Sequence, residues 1–377
     1  MSTGRDIGRS PLAVTEKLML ISWPFLLLLT LTAGVGFISL YSAAGGHVDP
    51  WAGRQAVRFG FGLCGIIIAA LIDIRIWMKL AYPIYAMGIA LLIYVDVRGH
   101  VGMGAQRWIN LGFLQLQPSE VVKIALVLAL ARFFHGSTAE DVRNPLFLLA
   151  PMALVGLPAA FVMLQPDLGT AMTILMVATA LFFLAGVSTW MFGVVIAGGV
   201  ALLPVAWHFF HDYQKKRVLV FLNPENDPLG AGYHITQSKI ALGSGGITGK
   251  GFLQGSQSHL NFLPEKQTDF IFTLFTEEWG LVGGVSLMAL FAMIIAYGHF
   301  MALNCQNRFS RLLSMGVVVN FFVYIFINMS MVMGLLPVVG VPLPMISYGG
   351  TAMLSVMFGF GLLMSAHVHR DVKVTCG

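Results

Sequence analysis

The chain has 377 residues, of which 57% are hydrophobic and only 10% are charged, and its mean hydropathy is +0.81. This composition excludes a soluble globular domain, because repeated apolar runs of about twenty residues have the length that crosses a bilayer. The net charge of +5 comes from basic residues scattered over the connectors, which favours membrane topology over nucleic-acid binding. The three cysteines form neither a disulfide framework nor a metal-ligand spacing.

The apolar runs predict an all-α polytopic membrane protein with ten spanning helices and no separable soluble domain. Residues 1–377 are therefore expected to form one membrane domain, with one large extracytoplasmic loop at residues 208–270 between the seventh and eighth helices. The predicted spans are 18–44, 56–72, 78–96, 118–134, 146–164, 168–186, 189–207, 271–299, 311–333 and 346–366.

Charge bias predicts the orientation of these spans. An even number of helices places both termini on one side, and basic residues are concentrated at that set of helix ends. We therefore expect the first 17 or so residues and the C-terminus to be cytoplasmic. The residues on the predicted cytoplasmic side are Arg5, Arg9, Lys17, Arg75, Lys79, Arg132, Arg143, Arg308, Arg311, Arg370 and Lys373, against Arg54, Arg58, Arg98 and Arg107 in the short connectors opposite.

An acid and a base open the fourth predicted span. Glu120 and Lys123 are three residues apart, which puts them on one helical face where each can neutralise the other. An ionisable residue at membrane depth indicates function. A buried ion pair that only fixes helix packing is an equally good interpretation, so both stay open.

Two tight connectors on the outer side carry further polar groups. Asp167, in the QPDLGT turn between the fifth and sixth spans, is most simply an N-terminal helix cap. The proline-rich PVVGVPLPMISYGG segment joins the last two spans, and its irregular backbone must be buried in protein or line a cavity. Ser347 and Tyr348 are then polar contacts of such a cavity or parts of a re-entrant packing turn.

The large loop ends at Asp269, directly before a long apolar helix. A carboxylate at this position is favoured by the helix macrodipole. The same position would hold an ionised group rigidly at the membrane surface, where it could act as a general base. Both interpretations remain open from position alone.

The loop also carries cations and a glycine cluster. The run Lys215–Arg217 and the dispersed Lys239, Lys250 and Lys266 suit either an anionic lipid surface or a pyrophosphate. The GSGGITGKG stretch lacks the GxxxxGK[ST] spacing of a nucleotide-binding loop. Residues 233–242 are predicted to form a short amphipathic helix in the membrane interface.

Several of these blocks together resemble the SEDS family (shape, elongation, division and sporulation), and its rod-shape branch rather than its division branch. The blocks are QRWINLGFLQLQPSEVVKIA, QPDLGT, RVLVFLNPENDPLGAGYHITQSKIALGSGGITGKG, FLPEKQTDFIF and PLPMISYGG. The resemblance implies a ten-helix protein of the bacterial inner membrane whose large loop is periplasmic. It also implies a peptidoglycan glycosyltransferase that polymerises lipid II during cell elongation. The implied partners are a class B penicillin-binding protein transpeptidase and other membrane proteins of the elongation complex.

The family's functional residues have matches in this sequence. Its essential loop aspartate matches Asp269, and its fourth-helix acid and base match Glu120 and Lys123. The resemblance further suggests Arg107, Arg217 and Lys239 as substrate contacts, with Asp167 and Ser347 as supporting residues.

The implied reaction is an inverting glycosyl transfer, in which Asp269 deprotonates an acceptor sugar hydroxyl and undecaprenyl pyrophosphate leaves. No resident metal site is predicted, although a divalent cation such as Mg²⁺ or Mn²⁺ would spread the leaving group's charge as basic residues would. One alternative is a lipid II flippase, for which Glu120 and Lys123 would be the best support. Another is a non-catalytic scaffold for the transpeptidase, in which changes at Asp269 would be silent.

Overall fold

The computed structural model describes residues 13–102, 105–110, 112, 115–209, 212–223, 227, 230–259 and 265–372. These residues are mostly helical, and the elements follow one another along the chain with short connections. The helices are α1 (Val14–Leu20), α2 (Trp23–Ala43), α3 (Ala52–Leu71), α4 (Ile74–Arg98), α5 (Pro118–His135), α6 (Pro145–Leu164), α7 (Leu168–Ala185), α8 (Thr189–Phe209), α9 (Asp212–Leu222), α10 (Ala231–Ser244), α11 (Ser256–His259), α12 (Ile271–Leu303), α13 (Arg308–Val332) and α14 (Gly350–Val368).

Eight helices within the described residues are long and apolar enough to cross a membrane: α2, α3, α4, α6, α7, α12, α13 and α14. Helix α5 corresponds to the fourth predicted span but carries three charged residues, Glu120, Lys123 and Arg132. Helix α8 corresponds to the seventh span, but its apolar part, Thr189–Leu202, is shorter than the eight spanning helices. The predicted all-α polytopic class is confirmed, whereas the count of ten spans stays a prediction.

Helices α5, α13 and α14 form the centre of the bundle. The side chains of α5 are buried on nearly every face, because α4, α6, α7, α13 and α14 all pack around it. Helix α14 lies along α3, where a Cβ on Gly361 would come within 2.8 Å of the Ala69 Cβ. Small residues of this kind let membrane helices approach closely.

The first predicted span, 18–44, is wrong at its start. Helix α1 ends at Leu20, and α2 begins at Trp23 with Pro24 in its first turn. The ring of a proline clashes with the carbonyl four residues earlier and its nitrogen has no proton to donate. For Pro24 that carbonyl belongs to Leu20, so a continuous helix through this point is disfavoured and two helices form.

The eighth predicted span, 271–299, is also different in the structure. Helix α12 continues to Leu303, and it is broken at Gly280, whose φ of 66° and ψ of −163° are not helical. A positive φ costs glycine little, because it has no Cβ. The two halves of α12, 271–279 and 281–303, therefore need not share one axis.

The segment between α4 and α5 contains a small antiparallel sheet, which the pattern of apolar runs did not indicate. Its strands β1 (His100–Gly102), β2 (Ala105–Asn110) and β3 (Gln115–Leu116) lie in the order β1-β2-β3. Val101 is opposite Gln106, and Ile109 is opposite Leu116. The sheet brings Arg107, on β2, to the turn between α6 and α7.

The large loop contains α9, α10 and α11. The predicted helix at 233–242 is present as α10, whose Ile235 and Ala241 side chains are buried. The Ser238 hydroxyl lies 2.8 Å from the Thr273 hydroxyl and donates to the Val332 carbonyl at 2.9 Å, which joins α10 to α12 and α13. Its predicted location in the membrane interface stays a prediction.

Candidate active site

Asp269 lies at the start of α12, where α13 and the connector of residues 333–349 converge on it. The Asn328 side-chain amide on α13 donates to the Asp269 backbone carbonyl at 2.9 Å and to the Val341 carbonyl at 2.7 Å. Gly340 passes beside the carboxylate, since a Cβ built on it would lie 3.5 Å from Asp269 Oδ2. The aspartate is therefore fixed by residues more than fifty positions away in sequence.

The 333–349 connector is tied to the residues that precede α12. The Ser347 hydroxyl donates to the Thr268 carbonyl at 2.6 Å and accepts from the Leu343 backbone N–H at 2.8 Å. The Tyr348 backbone N–H donates to the Gln267 carbonyl at 2.8 Å. Ser347 is buried, and its hydroxyl is occupied by these contacts. Of the two interpretations of this segment, a cavity lining or a re-entrant packing turn, this geometry favours the packing turn.

The surroundings of Asp269 make its carboxyl group a weaker acid than an ordinary aspartate. Burial raises the pKa of its carboxyl to about 7, and the charges of Glu265 and Asp167 act in the same direction, while Arg217 opposes them. A carboxylate that titrates near neutral pH is well matched to general base catalysis. Charges from three separate parts of the chain, at residues 167, 217 and 265–269, thus influence this carboxyl group.

Asp167 caps α7, as its position predicted. Its carboxylate accepts from the Thr170 backbone N–H at 3.1 Å and from the Thr170 hydroxyl at 2.9 Å. Arg107 lies 3.7 Å from Asp167 Oδ2 and also donates to the carbonyls of Gln165 and Pro166. The Asp167 carboxylate has hydrogen-bond acceptor positions that capping does not use. It can therefore cap α7 and also act on the charges around Asp269.

The start of α7 packs against the same connector that passes Asp269. A Cβ on Gly169 would be 2.4 Å from the Val339 carbonyl oxygen. Glycine is needed at this close approach, which places the Asp167 cap beside the turn that contains Gly340. The structure thereby brings Arg107, Asp167 and Asp269 to one end of the bundle.

Glu120 and Lys123 form a buried cluster deeper in the bundle. The Lys123 ammonium lies 2.8 Å from Glu120 Oε1 and donates to the Tyr324 hydroxyl, which in turn donates to Glu120. Ser355 donates to Glu120 Oε2 at 3.3 Å. Asn328 is one turn beyond Tyr324 on α13, so this helix connects the cluster to Asp269.

Arg217 and Lys239 approach the site from the large loop. Arg217, on α9, is close enough to Asp269 to affect its pKa. Lys239, on α10, lies over the beginning of the 333–349 connector, since a Cβ on Gly334 would come within 2.2 Å of Lys239 Cε. Both cations are consequently at the same end of the bundle as Asp269.

Four further polar residues stand near this site: Arg58, which the sequence marked only for topology, and Gln55, Tyr324 and Asn328, which no motif in the sequence singled out. The Arg58 guanidinium lies 4.9 Å from the centre of the Tyr348 ring, and Gln55 donates to the Ser347 carbonyl at 2.9 Å. Gln55 and Arg58 are three residues apart on one face of a helix that is apolar after Arg58, and this spacing was a usable signal.

No group of three or more His, Cys, Asp or Glu side chains in the described residues is arranged to hold a metal ion. The divalent cation considered for the leaving group's charge stays an expectation from the sequence. An apolar groove of about 420 Å³ opens between α2 and α12, with Val35, Ile38, Phe275 and Trp279 among its lining residues. Its lining suits a hydrocarbon chain.

The fold and this site define a polytopic helical membrane protein with one carboxylate of raised pKa held at the end of a broken helix. The family profile for FtsW, RodA and SpoVE, described as "Cell cycle protein", matches residues 20–372. The chain belongs to this family, which confirms the resemblance noted from its motifs.

Named relatives are similar to this chain over most of its length. The "Peptidoglycan glycosyltransferase MrdB" of Escherichia coli K12 is 45% identical over 336 residues, which are 88% of this chain and 90% of that protein. The "Probable peptidoglycan glycosyltransferase FtsW" of Trichlorobacter lovleyi is 33% identical over 96% of this chain and 95% of its own.

Solved structures share the architecture. A chain from a study of "Structural coordination of polymerization and crosslinking by a peptidoglycan synthase complex" has a TM-score of 0.82 and 31% identity, covering 94% of this chain and 99% of its own. The rod shape determining protein RodA of Thermus thermophilus has a TM-score of 0.70 and 28% identity, covering 94% of this chain and 98% of its own.

Proposed function

We propose that this protein is a peptidoglycan glycosyltransferase that joins lipid II molecules into glycan strands during cell elongation. One observation carries the proposal: a chain 45% identical to the E. coli MrdB glycosyltransferase holds Asp269 with a pKa of about 7 between α12, α13 and the 333–349 connector. A base of this acidity is half ionised near neutral pH and can both accept and release a proton.

In the proposed reaction Asp269 removes the proton from the 4-hydroxyl of the acceptor sugar. The oxygen attacks the anomeric carbon of a lipid-linked donor from the face opposite the leaving group, so the configuration inverts. Undecaprenyl pyrophosphate departs as an anion and needs no proton from the protein. Arg217, Lys239 and Arg107 are the cations proposed to stabilise its charge.

The membrane arrangement proposed for this reaction follows the charge bias of the sequence. We place the protein in the bacterial inner membrane as one domain of residues 1–377, with ten spans, both termini in the cytoplasm and the 208–270 loop in the periplasm. The groove between α2 and α12 is proposed to hold a polyprenyl chain. A class B penicillin-binding protein and other elongation-complex proteins are the proposed partners.

The decisive experiment incubates the purified chain in detergent with labelled lipid II, alone and with its transpeptidase partner blocked by a β-lactam. Asp269→Asn should lower polymerisation by about 100- to 10,000-fold, the usual contribution of a general base. Asp96→Asn is the matched control, because Asp96 is exposed at the end of α4 and should leave the rate unchanged.

The same assay separates the competing functions. A flippase has no vectorial activity in detergent and would make no polymer, and a scaffold would make none with the partner's chemistry blocked. Full polymerisation by Asp269→Asn would remove this residue from the mechanism.

A further inference from the structure

The break in α12 leaves backbone hydrogen-bonding groups that need partners from elsewhere in the chain. Where Gly280 leaves the helical conformation, backbone N–H and C=O groups on either side lose their partners within the helix. A membrane offers no water to replace them, and each unsatisfied group costs several kcal/mol. A stable break at this point therefore requires another part of the protein to bond those groups.

Residues 245–257 of the large loop, called the clasp below, supply these bonds. The Leu281 N–H donates to the Gly246 carbonyl at 2.9 Å, and the Val282 N–H donates to the Ile247 carbonyl at 3.1 Å. On the other side of the break, the carbonyls of Glu277 and Glu278 accept from the clasp N–H groups of residues 250 and 251, both at 3.0 Å. The clasp thus forms backbone hydrogen bonds with α12 on both sides of the break at Gly280.

Two glycines of the GSGGITGKG stretch, Gly245 and Gly249, are explained by this contact. A Cβ on Gly249, whose φ is +83°, would lie 2.0 Å from the Glu278 carbonyl oxygen. A Cβ on Gly245 would lie 2.3 Å from the Thr276 carbonyl oxygen. Side chains at these two positions would separate the clasp from α12, so Gly245 and Gly249 allow the two backbones to dock.

Buried charge ties the clasp to the first half of α12. Glu277 is fully buried, and its Oε1 accepts from the Lys250 ammonium at 2.7 Å and from the Gln257 backbone N–H at 2.9 Å. Ser256 adds a third contact to the same oxygen at 3.3 Å. A charge-assisted bond of this length, with the carboxylate fully buried, holds its partners more firmly than a surface pair.

The first half of α12 is short and depends on such contacts for its position. Residues 271–279 make fewer than three turns, and isolated helices below about 12 residues are marginal. The break at Gly280 separates this segment from the longer second half. Asp269 precedes this segment by two residues, and Glu277 lies about 9 Å along it from Ile271 at 1.5 Å per residue.

We propose that the clasp positions Asp269 for catalysis, and that Glu277 and Lys250 are the positioning residues that fix the first half of α12. The inference rests on the proposed function of Asp269 as the base. Lys250 then acts through Glu277 and the helix, and it need not touch the substrate's pyrophosphate.

Lys250→Met is the primary test, measured in full-length protein with labelled lipid II. A misplaced base should lower kcat by about 100-fold, as small displacements in an active site do. KM should change by less than about threefold, because substrate contacts are left in place. Lys250→Arg keeps the charge and should restore most of the rate, and Lys79→Met, an exposed lysine of α4, should match the wild type.

Two further readouts distinguish positioning from simple loss of stability. Loosening the first half of α12 should expose Asp269 to water and move the midpoint of the pH–kcat profile to lower pH, because burial is the main cause of its raised pKa. Amide hydrogen exchange should accelerate in residues 271–279 and at Leu281 and Val282, whose N–H groups donate to the clasp, and stay unchanged in residues 285–303.

Several results would overturn the inference. An unchanged kcat and pH midpoint in Lys250→Met would show that the clasp does not position Asp269. Glu277→Gln is the second variant, with the same expectations, and loss of folded protein in both would assign the clasp to holding the whole bundle. Full polymerisation by Asp269→Asn would instead refute the proposed role of Asp269 as the base, so the two failures are distinguishable.

Discussion

At the scale of single residues, the chemistry depends on an aspartate whose charge is tuned by neighbours from distant parts of the chain. Burial is the largest influence on the pKa of Asp269, and the opposing charges of Glu265 and Arg217 adjust it further. Since the folded protein raises this pKa from 3.8 to about 7, the base becomes fully ionised only above neutral pH. Activity should therefore rise with pH through that value.

The charged neighbours Glu265 and Arg217 shift the pKa of Asp269 in opposite directions, so removing each of them should have opposite effects. Glu265→Gln removes a negative charge and should move the midpoint of the pH–kcat/KM profile below that of the wild type. Arg217→Gln removes a positive charge and should move the midpoint above it. Polymerisation rates from pH 5 to 9 measure both, and shifts of the same sign in the two variants would contradict this electrostatic description of the site.

The buried cluster of Glu120, Lys123 and Tyr324 is also a residue-scale feature, and its role can be separated from stability. Removing one partner, as in Lys123→Met, leaves a buried charge unpaired and should cost about 3–5 kcal/mol. Replacing the whole cluster in Glu120→Leu/Lys123→Met/Tyr324→Phe should recover much of that loss, as apolar replacements of buried ion pairs often do.

Melting temperature in detergent and polymerisation rate are read together for these variants. If the triple variant recovers both, the cluster is a packing device. Recovery of stability without activity would assign the cluster to function. A triple variant less stable than Lys123→Met would contradict the expectation about its energetics.

At the scale of elements, the 333–349 connector is held by glycines on two helices. Gly36 of α2 faces it so closely that a Cβ would lie 2.5 Å from the Met345 carbonyl oxygen. Gly169 of α7 does the same at Val339. The connector contains Gly340 beside Asp269, so the fit of these helices against it sets the wall of the site.

Two glycines of the same helix give a matched comparison. A Cβ on Gly34 would meet nothing within 4 Å, so Gly34→Ala should be neutral or stabilise α2 by up to about 1 kcal/mol. Gly36→Ala should destabilise by about 1–3 kcal/mol, as overpacking does, and should also lower kcat because the connector must move. Equal melting temperatures and rates for the two variants would show that the connector is not fixed at this contact.

At the scale of the whole molecule, the bundle is not closed evenly around its axis. Helices α13 and α14 are buried over most of their length, whereas residues 193–202 of α8 are exposed on all faces. The described part of the chain therefore surrounds α5 with neighbours and leaves α8 at the margin. In a membrane these exposed apolar side chains would face lipid or a partner's helix.

The orientation of the whole molecule follows from the distribution of its basic residues and can be tested with reporters. A fluorescent protein fused after Gly377 should fluoresce, because it would fold in the cytoplasm. Alkaline phosphatase inserted after Asn223 should be active, because the loop would place it in the periplasm. The reverse pattern would invert the proposed topology and put Asp269 on the wrong side for periplasmic polymerisation.

The sequence by itself determined the class of the protein, the approximate helices and the cap at Asp167. Each of these depends on local properties: an apolar run is judged against the thickness of a bilayer, and a cap bonds residues three positions away. Motif resemblance also identified the family and Asp269. Pro24 and Gly280 were visible as residue types, but the breaks that they accompany were missed in long apolar runs.

Only the tertiary structure decided what surrounds Asp269. Asn328 reaches its carbonyl across 59 residues of sequence, and Lys250 reaches Glu277 across 27. Such partners are selected by how helices pack, and glycine or lysine in a loop is compatible with many alternatives until that packing is known. The raised pKa of Asp269 is a property of the assembled fold for the same reason, because burial and distant charges both arise when the chain closes around it.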